Sequence, residues 1–388
     1  ALPILEHRFL IYEPDREVNA WTVRCLRQAD LVLLVGRAGD SPALGVTEAL
    51  LDKLCVRARR ALVLLHATGH IQPGETKRWL DQRLRYEHYH VRAGIAGDID
   101  RLARLATGRG IGLVLGGGGA RGFAHIGVLR ALEEAGIEPD VVGGTSAGAM
   151  VAALMANGYD YQRLDQFSAG LLKLKLTDHT LPIVSLLRGR KLTEVLNRTF
   201  GDTHIEDLPR RFFCPSVNIS ELRVNLHTRG PVWRALRAST ALPLIFPPLL
   251  ENQEILVDGG VMDNLPVATM RKYCPQGLII AVDVSQEKGL KGDYHFGPSV
   301  SGWQVLGKRL LGAKERMAPT MIDTLLRVLE YSGVNARIAN GALADMMIVP
   351  PVSGFGTLQF AARAEIAELG YRETHKRLES LKPMLEKL

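Results

Sequence analysis

The sequence VVGGTSAGAMVAALMAN, residues 141–157, combines a short apolar strand, a glycine-flanked turn and a helix of small and apolar residues. We predict a strand at Val141–Val142, a turn over residues 143–148 and a helix at Ala149–Asn157. The turn matches the pattern G-x-S-x-G, which lifts its serine above the edge of a sheet when it joins a strand to a helix. This order favours an α/β fold, in which strands and helices alternate along the chain.

Ser146 lies at the centre of this turn and is a candidate nucleophile. So sharp a turn has strained backbone angles, and bulky residues two positions to either side of the serine would collide. Gly144 and Gly148 remove that collision. The turn also places the free N–H groups of the next helix beside the hydroxyl. The pattern is common by chance and an ordinary turn is the alternative, but the position between strand and helix favours a function.

A second glycine-rich turn, GGGGARG at residues 116–122, follows a predicted strand at Ile111–Leu115 and precedes a predicted helix at Ala124–Gly136. Glycines let a backbone approach a ligand closely, so consecutive N–H groups can converge on one oxygen. In acyl transfer this oxygen is the tetrahedral oxyanion, and losing one donor costs roughly 100- to 1000-fold in rate. Arg121 in the same turn either fixes the loop through a salt bridge, which is the more ordinary role, or meets a phosphate group.

Gly117–Gly122 also satisfies the dinucleotide-binding pattern G-x-G-x-x-G. That alternative needs an acidic residue at the end of the second strand to hold the ribose. Asp140 is near the expected distance, but it precedes the strand, and Ser146 is left without a role. A hydrolase uses both turns at one site, because successive parallel strands end at the same edge of a sheet. A P-loop is excluded, since G-x-x-x-x-G-K-[S/T] does not occur.

A serine nucleophile needs a base. The histidines considered for this role lie in no recognisable catalytic signature: His125, His179, His204, His227, His295 and His375. The sequence Asp258-Gly259-Gly260 is more informative, because it follows a predicted strand at Glu254–Val257. A carboxylate there can take the serine proton, and it works best if partial desolvation tunes its pKa from the ordinary value of about 3.9. A plain turn aspartate is the alternative.

The composition indicates a globular protein with a mild preference for anionic partners. Of the 388 residues 46% are hydrophobic and 23% charged, and the formal net charge is +7. A positive field favours phospholipid headgroups or nucleic acid, but no dense Arg/Lys block with interleaved aromatics occurs, so no nucleic-acid partner is expected. The four cysteines form no C-x-x-C pair and His88-Tyr89-His90 has no further ligand nearby, so neither a metal site nor a disulfide framework is expected.

The sequence predicts contact with a membrane surface but no membrane span. It contains no run of about 18 apolar residues and no secretory leader. Two segments that mix apolar and basic residues, Trp303–Leu311 and Leu171–Leu176, are candidates for lying in a lipid interface. A helix packed on the core is the ordinary alternative for the first, and an edge strand protected by lysines for the second.

The chain divides at the seam Gly108-Arg109-Gly110 into a small unit, residues 1–108, and a larger one, residues 109–388. In the small unit we predict a parallel sheet, with strands at Phe9–Tyr12, Leu31–Val35, Ala61–Leu65 and Tyr86–Val91, and helices at Val18–Gln28, Pro42–Cys55 and Asp98–Ala106. The apolar runs Leu31–Val35 and Ala61–Leu65 predict strands buried on both faces. In the larger unit we predict further strands at Phe212–Ile219, Arg223–His227 and Gly277–Val284, and a final helix at Ala361–Leu385. Residues 160–210 show no clear pattern.

Three motifs together resemble the patatin-like phospholipases: the loop at 116–122, the turn Gly144–Gly148 and Asp258-Gly259-Gly260, in that order and spacing. The resemblance spans about residues 109–350 and implies a three-layer α/β/α sandwich. It also implies that Ser146 is the nucleophile and Asp258 its base, without a histidine, and that no metal or organic cofactor is used. The remaining implied site residues are the oxyanion-hole amides of Gly117, Gly118 and Gly119, and the supporting residues Arg121, Gly144, Gly148, Gly259 and Gly260.

Within this family the sequence is most similar to the neuropathy target esterase branch, and the similarity extends into residues 8–108, a smaller α/β unit of flavodoxin or Rossmann type. Trp21–Cys25 and Asn264-Leu265-Pro266 contribute to it. That branch hydrolyses lysophospholipids and phenyl-type esters, so the resemblance implies a lysophospholipid or phospholipid substrate and a cytoplasmic location at a membrane surface. Longer members carry a transmembrane segment and cyclic-nucleotide-binding domains upstream; these residues contain neither, so the chain departs from those members or is cut from a longer protein.

Overall fold

The structure is a computed structural model that describes residues 7–54, 57–174, 177–285, 297–310, 319, 324–325, 327–328 and 334–386. The chain separates into two compact units. The first comprises the described residues up to Thr107 together with Glu206–Pro209, and the second comprises the other described residues from Gly108 onwards.

The first unit is a parallel sheet with helices between its strands. Its strands pair side by side in the order β1 (Leu31–Arg37), β2 (Arg59–His66) and β3 (Glu87–Arg92). Its helices are α1 (Ala20–Gln28), α2 (Val46–Lys53), α3 (Glu75–Leu80) and α4 (Ala96–Ala106). The predicted parallel sheet is confirmed. The predicted strand at Phe9–Tyr12 is wrong, because the backbone of these residues is not in a strand conformation paired within the described sheet, and Ile11 is 97% exposed.

The burial predicted for two strands of this sheet is right for β2 and wrong for β1. In β2, Leu62 and Leu64 are completely buried. In β1, Leu33 is 40% and Val35 59% exposed. β2 is the central strand and β1 an edge strand, and a continuous apolar run does not distinguish the two positions.

The second unit is built on a mixed sheet, with eight strands among the described residues. They are β4 (Ile111–Leu115), β5 (Val141–Gly144), β6 (Arg211–Asn218), β7 (Arg223–His227), β8 (Leu249–Glu251), β9 (Glu254–Asp258), β10 (Leu278–Val282) and β11 (Met346–Ile348). They lie in the order β11-β10-β4-β5-β6-β9-β8, and β7 pairs with β6. The strands from β11 to β6 are parallel, whereas β7, β8 and β9 form antiparallel pairs.

The helices of the second unit cover both faces of this sheet. They are α5 (Ala124–Glu134), α6 (Ala147–Ala156), α7 (Tyr161–Lys173), α8 (Arg190–Phe200), α9 (Val232–Ser239), α10 (Val267–Tyr273), α11 (Gly302–Leu310), α12 (Val334–Gly341) and α13 (Arg363–Leu385). The path β4–β5–β6 advances across the sheet in one direction, so right-handed crossovers place α5 and α6 on one face. The step from β10 to β11 runs the opposite way and places α12 on the other face, where it packs on α10. The three-layer α/β/α sandwich is therefore confirmed.

The final helix α13 confirms the helix predicted at Ala361–Leu385 and packs against α5. Two glycines stand at the contact. A Cβ on Gly127 of α5 would overlap the backbone of Ala367, and a Cβ on Gly370 of α13 would overlap the backbone of Ala124. The two helices thus meet backbone to backbone, which only small residues allow.

The segments predicted to contact lipid are helical over most of their described residues. Trp303 stands on α11 and is 84% exposed, whereas Leu311 lies outside the described residues. Leu171–Lys173 forms the last turn of α7, so the edge-strand alternative is wrong for these residues. The helix begins after the cap at Asp160 and simply continues through them. Residues 175–176 lie outside the described part of the chain.

Candidate active site

Ser146 stands on a strained turn between β5 and α6. Its backbone has φ 55° and ψ −122°, a conformation that residues other than glycine rarely adopt and that clusters at functional sites. A Cβ on Gly144 would lie 2.8 Å from the carbonyl carbon of Gly148, and a Cβ on Gly148 would overlap the carbonyl oxygen of Leu115. The turn therefore requires both glycines. α6 begins at Ala147, two residues earlier than predicted, so the helix start adjoins the serine.

The glycine loop runs beside Ser146. A Cβ on Gly117 would lie 3.1 Å from the Cβ of Ser146, so the loop passes very close to the serine. The Gly117 amide donates to the carbonyl oxygen of Asn264 at 3.3 Å. In contrast, the amides of Gly118 and Gly119 donate to no acceptor among the residues that the structure describes. Of the three amides implied by the resemblance, two are thus open to a ligand oxygen and one is engaged.

Two buried side chains hold the loop in place. Arg121 donates from Nε to the carbonyl oxygen of Gly118 at 3.3 Å and from Nη2 to Thr357 Oγ1 at 3.2 Å. His125 Nε2 lies 2.8 Å from the carbonyl oxygen of Gly116. Burial lowers the pKa of His125 to about 4, so the ring is neutral at pH 7 and donates this hydrogen bond. These contacts agree with a loop-fixing role for Arg121 and give His125 a similar one.

Asp258 ends β9 and is only 2% exposed. Its Oδ1 accepts a hydrogen bond from the Gly260 amide at 2.8 Å, whereas its buried Oδ2 has no well-formed hydrogen bond to any described residue. Burial raises the pKa of Asp258 to about 6, and the Ser146 hydroxyl and the Gly260 amide oppose that rise. The Ser146 hydroxyl is thus near enough to stabilise the carboxylate, although the two groups form no short, well-aligned hydrogen bond. Such loose geometry is common in active sites without bound substrate.

The two glycines after Asp258 are required by close packing. A Cβ on Gly259 would lie 2.5 Å from the carbonyl oxygen of Pro215. A Cβ on Gly260 would lie 3.1 Å from Asp258 Oδ1 and 3.0 Å from Asn264 Oδ1. Larger residues would therefore displace the carboxylate or its neighbours.

The strand register explains how Ser146 and Asp258 meet. Gly143 in β5 is paired with Phe213 in β6, so Ser216, three residues further along β6, is level with the turn that carries Ser146. Ser216 is paired in turn with Asp258 in the antiparallel strand β9. One strand therefore sets the spacing between a serine and a carboxylate that are far apart in the sequence.

Two further residues, Asn264 and Ser239, position the site, although no role was predicted for either of them. Asn264 accepts the Gly117 amide through its own carbonyl and donates from Nδ2 to the Gly117 carbonyl at 3.1 Å, so it holds the loop from both sides. Ser239 Oγ accepts a hydrogen bond from the Ser146 amide at 3.2 Å. For Asn264 the available signal was its nearness to the Asp258 motif, which it closely follows.

Other histidines that were considered as the base make different contacts. His227 Nε2 lies 2.8 Å from Ser216 Oγ, and burial lowers the pKa of His227 to about 4. His375 stacks on Tyr371. Two lie in isolated strand pairings, His179 with Leu187 and His204 with Pro231, and His295 lies outside the described residues.

Asp140 is not placed to hold a ribose. Its carboxylate accepts the Ile111 amide at 2.8 Å, and its own amide donates to the Ile111 carbonyl at 2.7 Å. It therefore ties together the starts of β4 and β5, at the opposite end of these strands from Ser146. The dinucleotide pattern at Gly117–Gly122 thus does not have Asp140 as its acidic partner.

The part of the chain that the structure describes contains no group of three or more side chains arranged to hold a metal ion. His88 and His90 instead direct Nε2 at the carbonyl oxygen of Glu206, at 3.1 and 2.9 Å. None of the described helices is long and apolar enough to cross a bilayer.

Comparisons with known proteins match both units. Two family models fit the chain, a neuropathy target esterase family P-loop-like domain at residues 5–109 and a patatin-like phospholipase at residues 113–271. Lysophospholipase NTE1 of Coccidioides immitis (strain RS) is 36% identical over 443 aligned positions, covering 97% of this chain and 28% of that protein. Patatin-like phospholipase domain-containing protein 6 of Homo sapiens is 36% identical over 403 positions, covering 94% and 29%.

The chain thus spans less than a third of the length of the curated relatives it matches. Among solved structures, VipD from Legionella pneumophila is similar with a TM-score of 0.40 and 15% identity, over 70% of this chain and 67% of that one. The family resemblance inferred from the motifs is confirmed by the family models and the relatives: the chain carries a patatin-like phospholipase domain, preceded by the P-loop-like domain of the neuropathy target esterase family.

Proposed function

We propose that the chain is a serine acyl hydrolase that cleaves the ester bond of lysophospholipids, with Ser146 as nucleophile and Asp258 as base. The observation that carries this proposal is a buried carboxylate whose Oδ2 has no well-formed hydrogen bond to any described residue, beside a serine held at φ 55°. Leaving a buried polar atom unpaired costs at least about 1–3 kcal/mol. Proteins keep such unpaired groups and strained residues where a reacting group uses them.

The substrate class is supported by charge and by the relatives. Curated proteins that match nearly the whole chain are named lysophospholipases, and the net charge of +7 favours an anionic headgroup. Two-chain phospholipids and simple phenyl esters contain the same reacting bond. We propose them as further substrates.

In the first half of the reaction, Ser146 Oγ attacks the ester carbonyl carbon while Asp258 accepts the hydroxyl proton. A carboxylate with a pKa of about 6 is largely ionised at pH 7 and is a stronger base than an exposed aspartate. The amides of Gly118 and Gly119 stabilise the oxyanion. When the intermediate collapses, the ester C–O bond breaks and the glycerophosphoryl alcohol leaves with the proton that Asp258 returns.

In the second half, water replaces the alcohol. Asp258 takes a proton from water, whose oxygen attacks the acyl carbon bound to Ser146 Oγ. The second tetrahedral intermediate collapses, Asp258 returns the proton to Ser146, and the fatty acid is released. If an alcohol entered in place of water, the same steps would transfer the acyl group, so competition between water and an alcohol acceptor separates hydrolase from transacylase.

We propose that residues 109–388 form the catalytic domain and that residues 1–108 form a separate small domain. The division into two compact units near Thr107 supports this boundary. We also propose that the protein acts at the cytoplasmic surface of a membrane through peripheral contact, because its proposed substrate is a lipid.

The test is replacement of each member of the pair. We expect Ser146→Ala and Asp258→Asn each to lower kcat by about 10⁴-fold or more on lysophosphatidylcholine and on a soluble phenyl ester, with unchanged circular dichroism. Ser220→Ala and Asp81→Asn are the controls. They remove a serine hydroxyl and an aspartate carboxylate that lie outside the site, and both should retain full turnover.

A fluorophosphonate probe followed by mass spectrometry locates the reactive serine. We expect the probe to label Ser146 in the chain without substitutions and in both control variants. Near-normal turnover of Ser146→Ala or Asp258→Asn, or modification of a different serine, would refute the pair. A folded chain that binds lysolipid but is never labelled would be a non-catalytic lipid-binding protein.

A further inference from the structure

Residues 178–188 of the second unit form a hairpin that leads into α8. The Thr180 amide donates to the Leu186 carbonyl at 3.1 Å, and the Arg188 amide donates to the Asp178 carbonyl at 2.8 Å. Between these hydrogen bonds His179 and Leu187 form an antiparallel bridge. The hairpin tip is therefore the sequence Leu181-Pro182-Ile183-Val184.

All four residues of this tip are apolar and exposed. Leu181 is 72%, Ile183 81% and Val184 68% exposed, and Pro182 is exposed as well. Isolated apolar side chains are normal on a protein surface, but a continuous exposed run of this length usually marks an interaction site. The tip contains none of the Trp, Tyr or Arg residues that dominate protein-binding hot spots.

The second arm of the hairpin is joined to the segment that borders the candidate catalytic pair. The amides of Leu186 and Leu187 donate to the carbonyls of Leu244 and Ile245, at 2.7 and 3.0 Å. Leu244 has φ 72°, a strained value for a leucine.

A few residues before Leu244, this segment contacts both members of the pair. Ser239 Oγ accepts the Ser146 amide, and the Ala241 carbonyl accepts the Asp258 amide at 3.0 Å. Hydrogen bonds thus connect the apolar tip to the backbone of the candidate active site.

The exposed charged residues nearest to the tip in the sequence are mainly basic. Lys173, Arg188 and Arg190 are exposed. Two acidic residues lie near these cations. Asp178 directs its carboxylate at the backbone amides of Gly189 and Lys191 at the start of α8, and Glu194 forms an exposed ion pair with Arg190 at 3.3 Å, a weak pairing that an anionic headgroup can replace. An apolar tip with basic neighbours is complementary to a bilayer, whose acyl region takes the apolar side chains while anionic headgroups pair with the cations.

We infer that the Leu181–Val184 tip inserts into the interface of a phospholipid membrane, with Arg188 and Arg190 binding anionic headgroups. This inference rests on the proposed function only in that the substrate is a lipid. It gives a reason for the hydrogen-bonded path to Ser146 and Asp258, since insertion of the tip holds the catalytic pair at the surface where lysolipid resides. The tip is also distinct from the two membrane segments predicted from the sequence.

The experiment measures partitioning of the 388-residue chain onto vesicles of phosphatidylcholine, with and without phosphatidylserine. We expect the double variant Ile183→Ser with Val184→Ser to partition about 100-fold more weakly, because each large apolar side chain withdrawn from lipid costs about tenfold. The matched control is Leu222→Ser with Leu250→Ser, whose native side chains are 81% and 61% exposed elsewhere in the second unit. It should bind vesicles normally.

The basic residues are tested with Arg188→Gln and Arg190→Gln. We expect each to weaken binding about fivefold on vesicles that contain phosphatidylserine and to leave binding to neutral vesicles unchanged. If these variants lost binding equally on both kinds of vesicle, the arginines would not bind anionic headgroups as proposed.

Soluble-ester hydrolysis separates this inference from the proposed function. The tip variant should hydrolyse a monomeric phenyl ester at the normal rate, which also shows that it is folded, and Ser146→Ala should bind vesicles normally. If the chain hydrolysed no ester but the tip variant still bound vesicles more weakly, only the catalytic proposal would be overturned.

The membrane inference itself is overturned by three outcomes. The first is that the tip variant binds vesicles as well as the unsubstituted chain. The second is that the Leu222/Leu250 control loses as much vesicle binding as the tip variant. The third is self-association that the tip variant abolishes without any change in vesicle binding, which would assign the tip to a second copy of the chain.

Discussion

At the scale of single residues, the burial of Asp258, the proposed base, predicts a measurable pH dependence of activity. Only its ionised carboxylate can accept the serine proton, and burial raises its pKa to about 6. We therefore expect kcat/KM for a soluble phenyl ester to fall about tenfold per pH unit below this value and to be level above it. A pH profile on the free enzyme checks this. A level profile down to about pH 4.5 would contradict the assignment of Asp258 as base.

The same pKa predicts that the catalytic carboxylate destabilises the fold at neutral pH. An unfolded aspartate titrates near 3.8, so between about pH 4 and pH 6 this carboxyl group binds more protons in the folded state than in the unfolded state, and its own contribution to stability falls as pH rises. Above pH 6 the cost reaches about 3 kcal/mol. We expect Asp258→Asn to raise the free energy of unfolding by up to that amount at pH 7.5 and to change it little at pH 4.

Urea denaturation at the two pH values measures this difference. Asp81→Asn, which removes an exposed carboxylate paired with Lys77, is the control and should show no comparable gain. If Asp258→Asn were no more stabilising at pH 7.5 than at pH 4, the raised pKa would be wrong.

At the residue scale, local motifs could be predicted from the sequence and long-range contacts could not. The positions of Ser146 and Asp258 after their strands follow from the neighbouring glycines and apolar runs. The engagement of the Gly117 amide depends instead on the Asn264 carbonyl, and the contact of Ser146 with Ser239 depends on the packing of α9. No spacing rule along the chain reports such contacts.

At the scale of elements, the contact between α5 and α13 depends on glycine in a testable way. We expect Gly370→Ala to destabilise the chain by about 1–3 kcal/mol, because its Cβ would overlap the backbone of Ala124. Gly170 in α7 provides the control, since a Cβ there meets nothing within 4 Å. Gly170→Ala should stabilise the chain by about 0.5–1 kcal/mol through helix propensity alone.

Denaturant midpoints of these two variants decide whether the helices meet as described. The same chemical change is expected to have opposite signs at the two positions. A stabilising Gly370→Ala would mean that α5 and α13 do not approach backbone to backbone.

Two elements show where sequence patterns were and were not sufficient. α8 was not predicted, although its buried Leu192, Leu196 and Phe200 recur every four residues and so carry a helical signal. The exposure of Leu33 and Val35 was not available from the sequence, because an apolar run looks the same in an edge strand and in a central one. The location of a strand within its sheet is set by pairing with distant segments.

At the scale of the whole molecule, the two units are not consecutive along the chain. Glu206–Pro209 belongs to the first unit although it lies within the sequence of the second. Asp207 accepts the amides of Gly74 and Thr76 at 2.8 and 3.3 Å, and thereby caps α3, whose own N-cap residue, Gly74, has no side chain. The seam predicted at residues 108–110 could not reveal that Glu206–Pro209 belongs to the first unit, because this short segment lies far along the sequence.

This arrangement predicts that a cut at residue 108 does not produce a fully stable catalytic fragment. In a 109–388 fragment, the Asp207 carboxylate and the Glu206 carbonyl lose the partners that residues 74–90 supply. In the intact chain, Asp207→Ala removes only the cap and should cost about 0.5–2 kcal/mol. We expect the fragment to unfold at a lower temperature than the intact chain and than Asp207→Ala, since it loses the histidine contacts as well. Thermal unfolding followed by circular dichroism compares the three proteins. A fragment as stable as the 388-residue chain would show that the contacts of Glu206–Pro209 with the first unit do not stabilise the second unit.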